Sequence, residues 1–434
     1  MSDSPVILAL DSSTTATKAI AFDLDGHAVA EARRDYPRNT PRPGWQEQDA
    51  TDWWRAAAEA IREVTGKLEG SGREILSLCM THQRESFVLL DEHDAPIRPA
   101  VLWLDTRAAD QIARFGSDQV HALSGKPPST TPSLYKLIWL AEHEPQAMRA
   151  ARRVVEVHAY LTHELTGQWV TSWATADPMA VLGMSSFEYS EELLALAGLG
   201  LDQMAELRPP GSVMATVTDD VADSLGLPRD LPVVAGAGDG QSAGLGANVT
   251  TASRAYLSLG TSMTMGIHSE QYLYSRAFRT LSSPIAGSYT LEALLSSGGL
   301  CIAWFRDRLS GMDPADGPIE PRLEELAAGV PAGARGVQFL PYLTSAETPY
   351  WDANARGSFV GFSDTHGVPE LYRALLEGLA LEERVSLKRV EKATGTPVER
   401  LVVMGGGTKS PLFNQILADA LQRPIDVCAE TETT

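Results

Sequence analysis

Apolar and polar residues alternate in short runs near the start of this chain. "VILALDSSTTATKAIAFDLDGHAVAEARRDY" predicts strand, polar turn, strand, an Asp25-Gly26 turn and a third strand, which is the chemistry of two successive hairpins. "ATDWWRAAAEAIREVTGKLEG" switches to helical spacing and predicts an amphipathic helix that ends near Gly70. "ILSLCMTHQRESFVLLDEHDAPIRPAVLW" returns to strand-like runs, interrupted at His82-Gln83-Arg84-Glu85. Helical patterns, "SLYKLIWLAEHEP" among them, fill much of 104–200, and "RPPGSVMATVTDD" is expected to be a loop before a short helix. Residues 231–235 are apolar and read as a buried strand. The run that follows, "GAGDGQSAGLG" at 236–246, surrounds one carboxylate, Asp239, with glycine and alanine, and a helix is expected to start there.

After Gly246 the pattern starts again. "SRAYLSLGTSMTMGIHS" is strand, small polar turn and strand, so Leu259-Gly260-Thr261-Ser262 stands where Leu10-Asp11-Ser12-Ser13 stood. Two halves that open alike suggest a duplicated fold with a boundary near 245–253. The second half continues with "VQFLPYL" as strand and "ELYRALLEGLALEERVSLKRV" as a long helix. "RLVVMGGG" (strand) and "SPLFNQILADALQ" follow, the latter a helix with Ser410 as N-cap and Pro411 at its first position.

Length and charge narrow the classes. At 434 residues two domains are expected. No stretch approaches the roughly 18–20 apolar residues of a membrane span, and Met1 to Pro5 lacks the basic region of a signal peptide. Cys79, Cys301 and Cys428 read as reduced thiols of a cytoplasmic protein. With 56 acids against 36 bases the net charge is −20, which repels nucleic acid.

Several stretches can carry chemistry, and each has a plainer reading. The turn Asp11-Ser12-Ser13-Thr14-Thr15, with Lys18 beyond it, reads equally as a local hairpin turn or as a phosphate cradle with an acid for Mg²⁺. Gly260-Thr261-Ser262 repeats the offer. Gly405-Gly406-Gly407 is either a tight strand-to-helix connection or a place where adenine approaches the backbone. It is not a Walker loop, and the run at 236 is not G-x-G-x-x-G because Gln241 holds the sixth position. Asp239 is either a helix cap or a general base. Arg84 and Glu85 are either an exposed ion pair or partners for the hydroxyls of a polyol. Trp103 is a core residue or a flat wall for a carbon chain, and Asp105 is a further acceptor.

Taken in order, "LALDSSTTATKAIAFD", "PGWQEQDATDWW", "HQRES", "PAVLWLDTRA", "KLIWLAEH", "GAGDGQSAGLG", "LSLGTSM", "GSFVGF…ELYRALLEG" and "VMGGGTKSPLFNQILADALQRPI" resemble the FGGY carbohydrate kinases. The resemblance implies an α/β fold of two actin-like (ribonuclease H-like) ATPase domains flanking a catalytic cleft. Residues 1–247 would bind sugar and carry the base, and 248–434 would bind ATP. By position, Asp239 corresponds to the catalytic base and, with Asp11, to the Mg²⁺-associated acids. Ser12, Ser13, Thr14, Thr15 and Lys18 resemble the first phosphate loop and Gly260, Thr261 and Ser262 the second. Gly405, Gly406, Gly407 and Asn414 match the adenosine segment. Gln83, Arg84, Glu85 and Trp103 fall where the glycerol kinase branch contacts substrate, with Asp105 close by. On this reading the glycines around Asp239 make room for a sugar hydroxyl and Mg-ATP.

Some positions depart from the family. Ser13 stands where glycine is common. Thr131, five residues before Lys136, replaces the aromatic that closes the glycerol kinase pocket, and Gly240 follows Asp239 in place of a long amide. The chain ends at "CAETETT", where the family continues into another helix, so the expectation is a trimmed chain or weakened nucleotide binding. The expected activity is ATP-dependent phosphorylation of a primary hydroxyl on a pentulose such as xylulose. Glycerol, another polyol or an aldonate is the alternative substrate. A non-catalytic sugar or nucleotide sensor and an actin- or chaperone-like ATPase are rival uses of the same fold. A homodimer is an allowed assembly.

Overall fold

The structure is a computed structural model that describes residues 4–428. The expectation about the chain end therefore rests on residues that lie, after Cys428, outside the described ones. The first hydrophobic alternation becomes β1 (Val6–Ser12), β2 (Ala16–Asp23) and β3 (Ala28–Asp35), joined by β4 (Ile75–His82), β5 (Val213–Thr216) and β6 (Pro232–Gly238). They form one sheet in the order β5-β6-β4-β1-β2-β3. The second sheet contains β7 (Arg254–Leu259), β8 (Met263–Ser269), β9 (Arg279–Ser282), β10 (Tyr289–Leu295), β11 (Arg400–Met404) and β12 (Ile425–Val427), in the order β9-β10-β8-β7-β11-β12.

The two sheets share a topology. β1 pairs antiparallel with β2 and parallel with β4, and β7 pairs antiparallel with β8 and parallel with β11. The halves that open alike are thus built alike, and the parallel strands of each end together at one edge of the sheet.

Helices cover the apolar faces. α1 (Thr51–Leu68) lays Trp53, Ala57, Ile61 and Val64 into the first core beside Leu8, Leu10 and Leu78. α2 (Asp239–Gly246) links the sheets, and α3 (Gly298–Arg308) follows β10. α4 (Val368–Thr394) and α5 (Pro411–Leu421) pack Leu375, Leu379, Phe413 and Leu417 against Leu257, Met265 and Leu401. Ser410 caps α5 as expected, its hydroxyl accepting from Phe413 N–H at 3.0 Å. A third apolar cluster in the first half, around Phe87, Leu134, Leu137 and Val154, supports a smaller four-stranded sheet.

Two local expectations change. "SVMAT" is the edge strand β5, not a loop, because it pairs antiparallel with β6. β6 itself runs through Gly236 to Gly238, so strand passes to helix directly at Asp239. Among the described residues no helix is long and apolar enough to cross a membrane.

Glu383, on the inner face of α4, is buried. Burial, reinforced by the adjacent Glu382, pushes its carboxyl from 4.5 up to about 8. The folded state therefore holds a proton that the unfolded state releases, and stability falls as pH rises from 4.5 through about 8. Glu383→Gln is expected to remove that dependence and to stabilise the protein at pH 9 by on the order of 5 kcal/mol relative to its effect at pH 4. Urea unfolding at the two pH values measures it.

Candidate active site

The register of the first sheet gathers the candidate acids. Ser12 and Gly238 both lie level with His82, the last residue of β4, so β1, β4 and β6 end together. Asp11 sits at the first of these ends, Arg84 and Glu85 leave the second, and Asp239 opens α2 at the third. Ligands of open α/β sheets bind outside such strand ends. Two strand spacings of about 4.8 Å separate the end of β1 from that of β6, placing Asp11 roughly 10 Å from Asp239.

The glycines beside Asp239 are closely approached by protein neighbours, and Gly240 also lines the cleft. A Cβ on Gly238 would lie 2.5 Å from Cδ of Arg84. One on Gly240 would lie 2.9 Å from Arg84 Nη2 and from Glu292 Oε2, and one on Gly244 would lie 2.8 Å from the Tyr256 ring. Small residues here let a guanidinium and a carboxylate close around the start of α2. Asp239 Oδ1 forms an ion pair with Arg84 Nε at 2.9 Å and accepts from Gly240 N–H at 2.7 Å, which leaves Oδ2 available.

From Arg84 a chain of charges crosses to the other half. Its Nη1 donates to Glu292 Oε2 at 2.9 Å, and Tyr256 OH reaches the same oxygen at 3.4 Å. Arg279 donates to the second Glu292 oxygen through Nε at 2.6 Å, and to Glu85 Oε1 through Nη1 at 2.7 Å. Glu292 is fully buried. Burial opposes its charge, but Arg279 and Arg84 outweigh that and hold its carboxyl at about 2. Glu85 adopts φ +59°, a left-handed conformation rare outside glycine that aims its side chain across the interface. Arg84, Glu85, Trp103, Thr131, Asp239, Tyr256, Ser262 and Arg279 help line a cleft of about 210 Å³ between the halves.

The hydroxyl-rich turns flank this cleft. Tyr36 OH donates to Ser13 O at 2.6 Å, Gln48 Nε2 to Thr14 O at 3.0 Å, and the Trp103 indole to Thr14 Oγ1 at 3.0 Å. Ser12 is buried beneath the turn against Tyr36 and Thr17, and the Ser13 hydroxyl donates to Ala16 O. Thr15 is exposed, and Lys18 lies opposite Asp11 in the β1–β2 register. In the second turn Ser262 lines the cleft, while the Gly260 and Thr261 carbonyls accept from Gly299 and Leu300 N–H at 2.9 and 3.0 Å. Gly405, at φ +89°, and Gly407 press on Leu259, where added Cβ atoms would lie 3.1 and 2.7 Å from it. Gly406 has open space around it. Asn414 Nδ2 donates to Thr408 O at 2.8 Å, and its buried Oδ1 has no hydrogen-bond partner.

Two expected substrate residues do not reach the cleft. Gln83 is buried, donating to Gln48 and accepting from Ser86. Asp105 is buried too, because Arg107 two residues on grips both its oxygens and Gln46 N–H binds Oδ2 at 2.6 Å. Conversely, Tyr256, Arg279, Glu292 and the Gly298-Gly299 contact escape the sequence reading. Their one signal is charge inside apolar strands, as in "AFRTLSS" and "YTLEALL".

The residues present fit Mg-ATP: two turns of hydroxyls and N–H groups, two carboxylates on one edge, and an unsatisfied amide oxygen beside the glycine run. Mg²⁺ needs one or two carboxylates and completes its shell with phosphate and water. The one cluster of three ligand-type side chains among the described residues, Asp23, Asp25 and His27, is on the far β2–β3 turn.

The description "FGGY family of carbohydrate kinases" matches twice, as N-terminal domain over residues 6–246 and as C-terminal domain over 255–434. The chain is 29% identical to a xylulose kinase of Escherichia coli strain K12, over 96% of this chain and 85% of that one. It is 28% identical to a glycerol kinase of Thermococcus onnurineus, over 99% and 86%. A crystal structure of xylulose kinase from Rhodospirillum rubrum superposes with TM-score 0.91 at 30% identity, covering 97% of this chain and 86% of that one.

Glu292 contributes stability that is fully present above pH 4.5 and is lost as pH falls towards about 2. Glu292→Gln, which removes the counter-charge shared by two buried guanidinium groups and leaves Arg84 only Asp239 and Arg279 only Glu85, is expected to cost about 3–5 kcal/mol at pH 7. It should also flatten the loss of stability between pH 4.5 and 2, as read by denaturant unfolding across that range.

Proposed function

This chain belongs to the FGGY family of carbohydrate kinases, and we propose that its substrate is a small uncharged sugar, a pentulose such as xylulose, phosphorylated on a primary hydroxyl. The observation that carries the reading is Asp239, fixed through one carboxylate oxygen at a helix start in the cleft between the halves, with the other oxygen available. We assign residues 1–247 the sugar and the base and residues 248–434 the nucleotide.

Arg84 and Gly240 N–H orient Asp239 so that Oδ2 meets the sugar hydroxyl and takes its proton as the oxygen attacks. Mg-ATP, when bound, supplies the electrophilic γ-phosphoryl group and ADP as leaving group. Asp11 and Asp239 would hold the metal. Thr14, Thr15 and Lys18 on one side and Gly260, Thr261 and Ser262 on the other would spread the phosphate charge. Gly406 and Asn414 would face the adenosine. Closing the two halves over these groups excludes water, which would otherwise compete with the sugar for the phosphoryl group. Free thiols at Cys79, Cys301 and Cys428 suit a reducing, cytoplasmic setting.

Charge favours a neutral substrate over an aldonate. Asp239, Glu85 and Glu292 place three carboxylates against two guanidinium groups around one small cleft. A substrate carboxylate would add a fourth negative charge beside a triphosphate. Size favours more than glycerol: Thr131 occupies a wall where an aromatic would close the space, and about 210 Å³ is room for roughly seven waters at ~30 Å³ each.

Asp239→Asn is expected to lower turnover by at least ~10³-fold while sugar affinity stays within a few-fold. Near-normal turnover in that variant would remove Asp239 as the base. ADP release measured over pentuloses, hexuloses, polyols and aldonates should rank pentuloses first and aldonates last.

A further inference from the structure

We propose that Arg279, contributed by the second half, is a specificity-determining residue that reads the far end of the sugar and selects a neutral chain longer than three carbons. The inference rests on the reading of Asp239 as the end at which phosphoryl transfer occurs. Arg279 lies on β9 directly opposite Glu292 on β10, and from there it reaches across the interface into the first half. The charges run in a fixed order: Asp239, Arg84, Glu292, Arg279, Glu85. Asp239 is one end of that line. Glu85 and Thr131, both in contact with Arg279 Nη1, are the other.

A donor count shows what remains for a ligand. A guanidinium has five N–H groups. Nε donates to Glu292 Oε1 at 2.6 Å, and Nη2 forms an ion pair with the same oxygen at 2.5 Å that occupies at most one of its hydrogens. The two Nη1 hydrogens go to Glu85 Oε1 at 2.7 Å and Thr131 Oγ1 at 3.3 Å. One Nη2 hydrogen is left over, and so is the Thr131 hydroxyl proton, since that oxygen acts here as acceptor. Both residues line the cleft. Two uncommitted donors at the end remote from Asp239 match the oxygens of a keto or hydroxyl group. A carboxylate would also accept them, but Glu85 and Glu292 already neutralise Arg279. A three-carbon substrate anchored at Asp239 meets Arg84 first, whereas a five-carbon chain extends to the Arg279–Thr131 pair.

The test uses the full chain and two substrates, a pentulose and glycerol, assayed on the same preparations of parent, Arg279→Met and Arg279→Lys. A misfolded fraction lowers both rates by one factor, so the ratio of the two kcat/KM values is insensitive to it. The expected result is that Arg279→Met loses at least tenfold more kcat/KM on the pentulose than on glycerol. Arg279→Lys should recover part of the difference, because an ammonium keeps the charge but not the fork. An unchanged ratio in an active variant overturns the proposal and leaves the kinase reading intact, Arg279 then being a brace between the halves. A parent that phosphorylates neither substrate overturns the reading of the cleft and the proposal together.

Discussion

A single buried carboxylate shared by two arginines holds this molecule's site together. Glu292 comes from the second half, yet it is the counter-charge for Arg84, which in turn holds Asp239. Taking such ions out of water costs several kcal/mol each, and only good geometry with further hydrogen bonds offsets it. Here both Glu292 oxygens are used, one by each guanidinium, and the Tyr256 hydroxyl adds a third donor. The arrangement is specific more than it is stabilising: it fixes how the halves meet at this end of the cleft, because a shift there would strand charges away from solvent.

The duplicated topology explains why the halves can share such a network at all. Each sheet ends its parallel strands at one edge, and each places a short polar hairpin turn beside that edge. Set face to face, the two edges enclose a cleft lined by both. The insertion in the first half, with its own apolar cluster, contributes Trp103 and Thr131 and so shapes the sugar end without disturbing the sheet. Lys136 ties those two residues together, its buried ammonium donating to the carbonyls of Trp103 and Thr131 at 3.0 and 2.8 Å.

Most of the fold was legible because it is written locally. Hairpins between residues 6 and 35, the glycine-flanked Asp239 and the Ser410-Pro411 helix start each follow from neighbours in sequence. What escaped depends on distant partners. Arg84 meets Glu292 across 208 positions and Arg279 meets Glu85 across 194, and no periodicity announces either pair. Asp105 and Gln83 looked available for the same reason. Gln48, 35 positions before Gln83, withdraws that amide, and Gln46 N–H, 59 positions before Asp105, joins the nearby Arg107 in withdrawing that acid. The glycines at 238, 240 and 244 were correctly seen as close-approach positions, but what approaches them is Arg84, Glu292 and Tyr256.

α2 belongs to both halves. It continues β6 of the first sheet, while Ala243 and Ala247 pack with Tyr256, Val402 and Met404 of the second. A rotation of one sheet against the other would turn about this short segment and the ion pairs beside it, and points near a fulcrum travel least. The acid at its first residue would therefore stay almost stationary while the nucleotide-side loops swing through a wide arc. Loading and discharge of the nucleotide need not disturb the grip on the reacting alcohol.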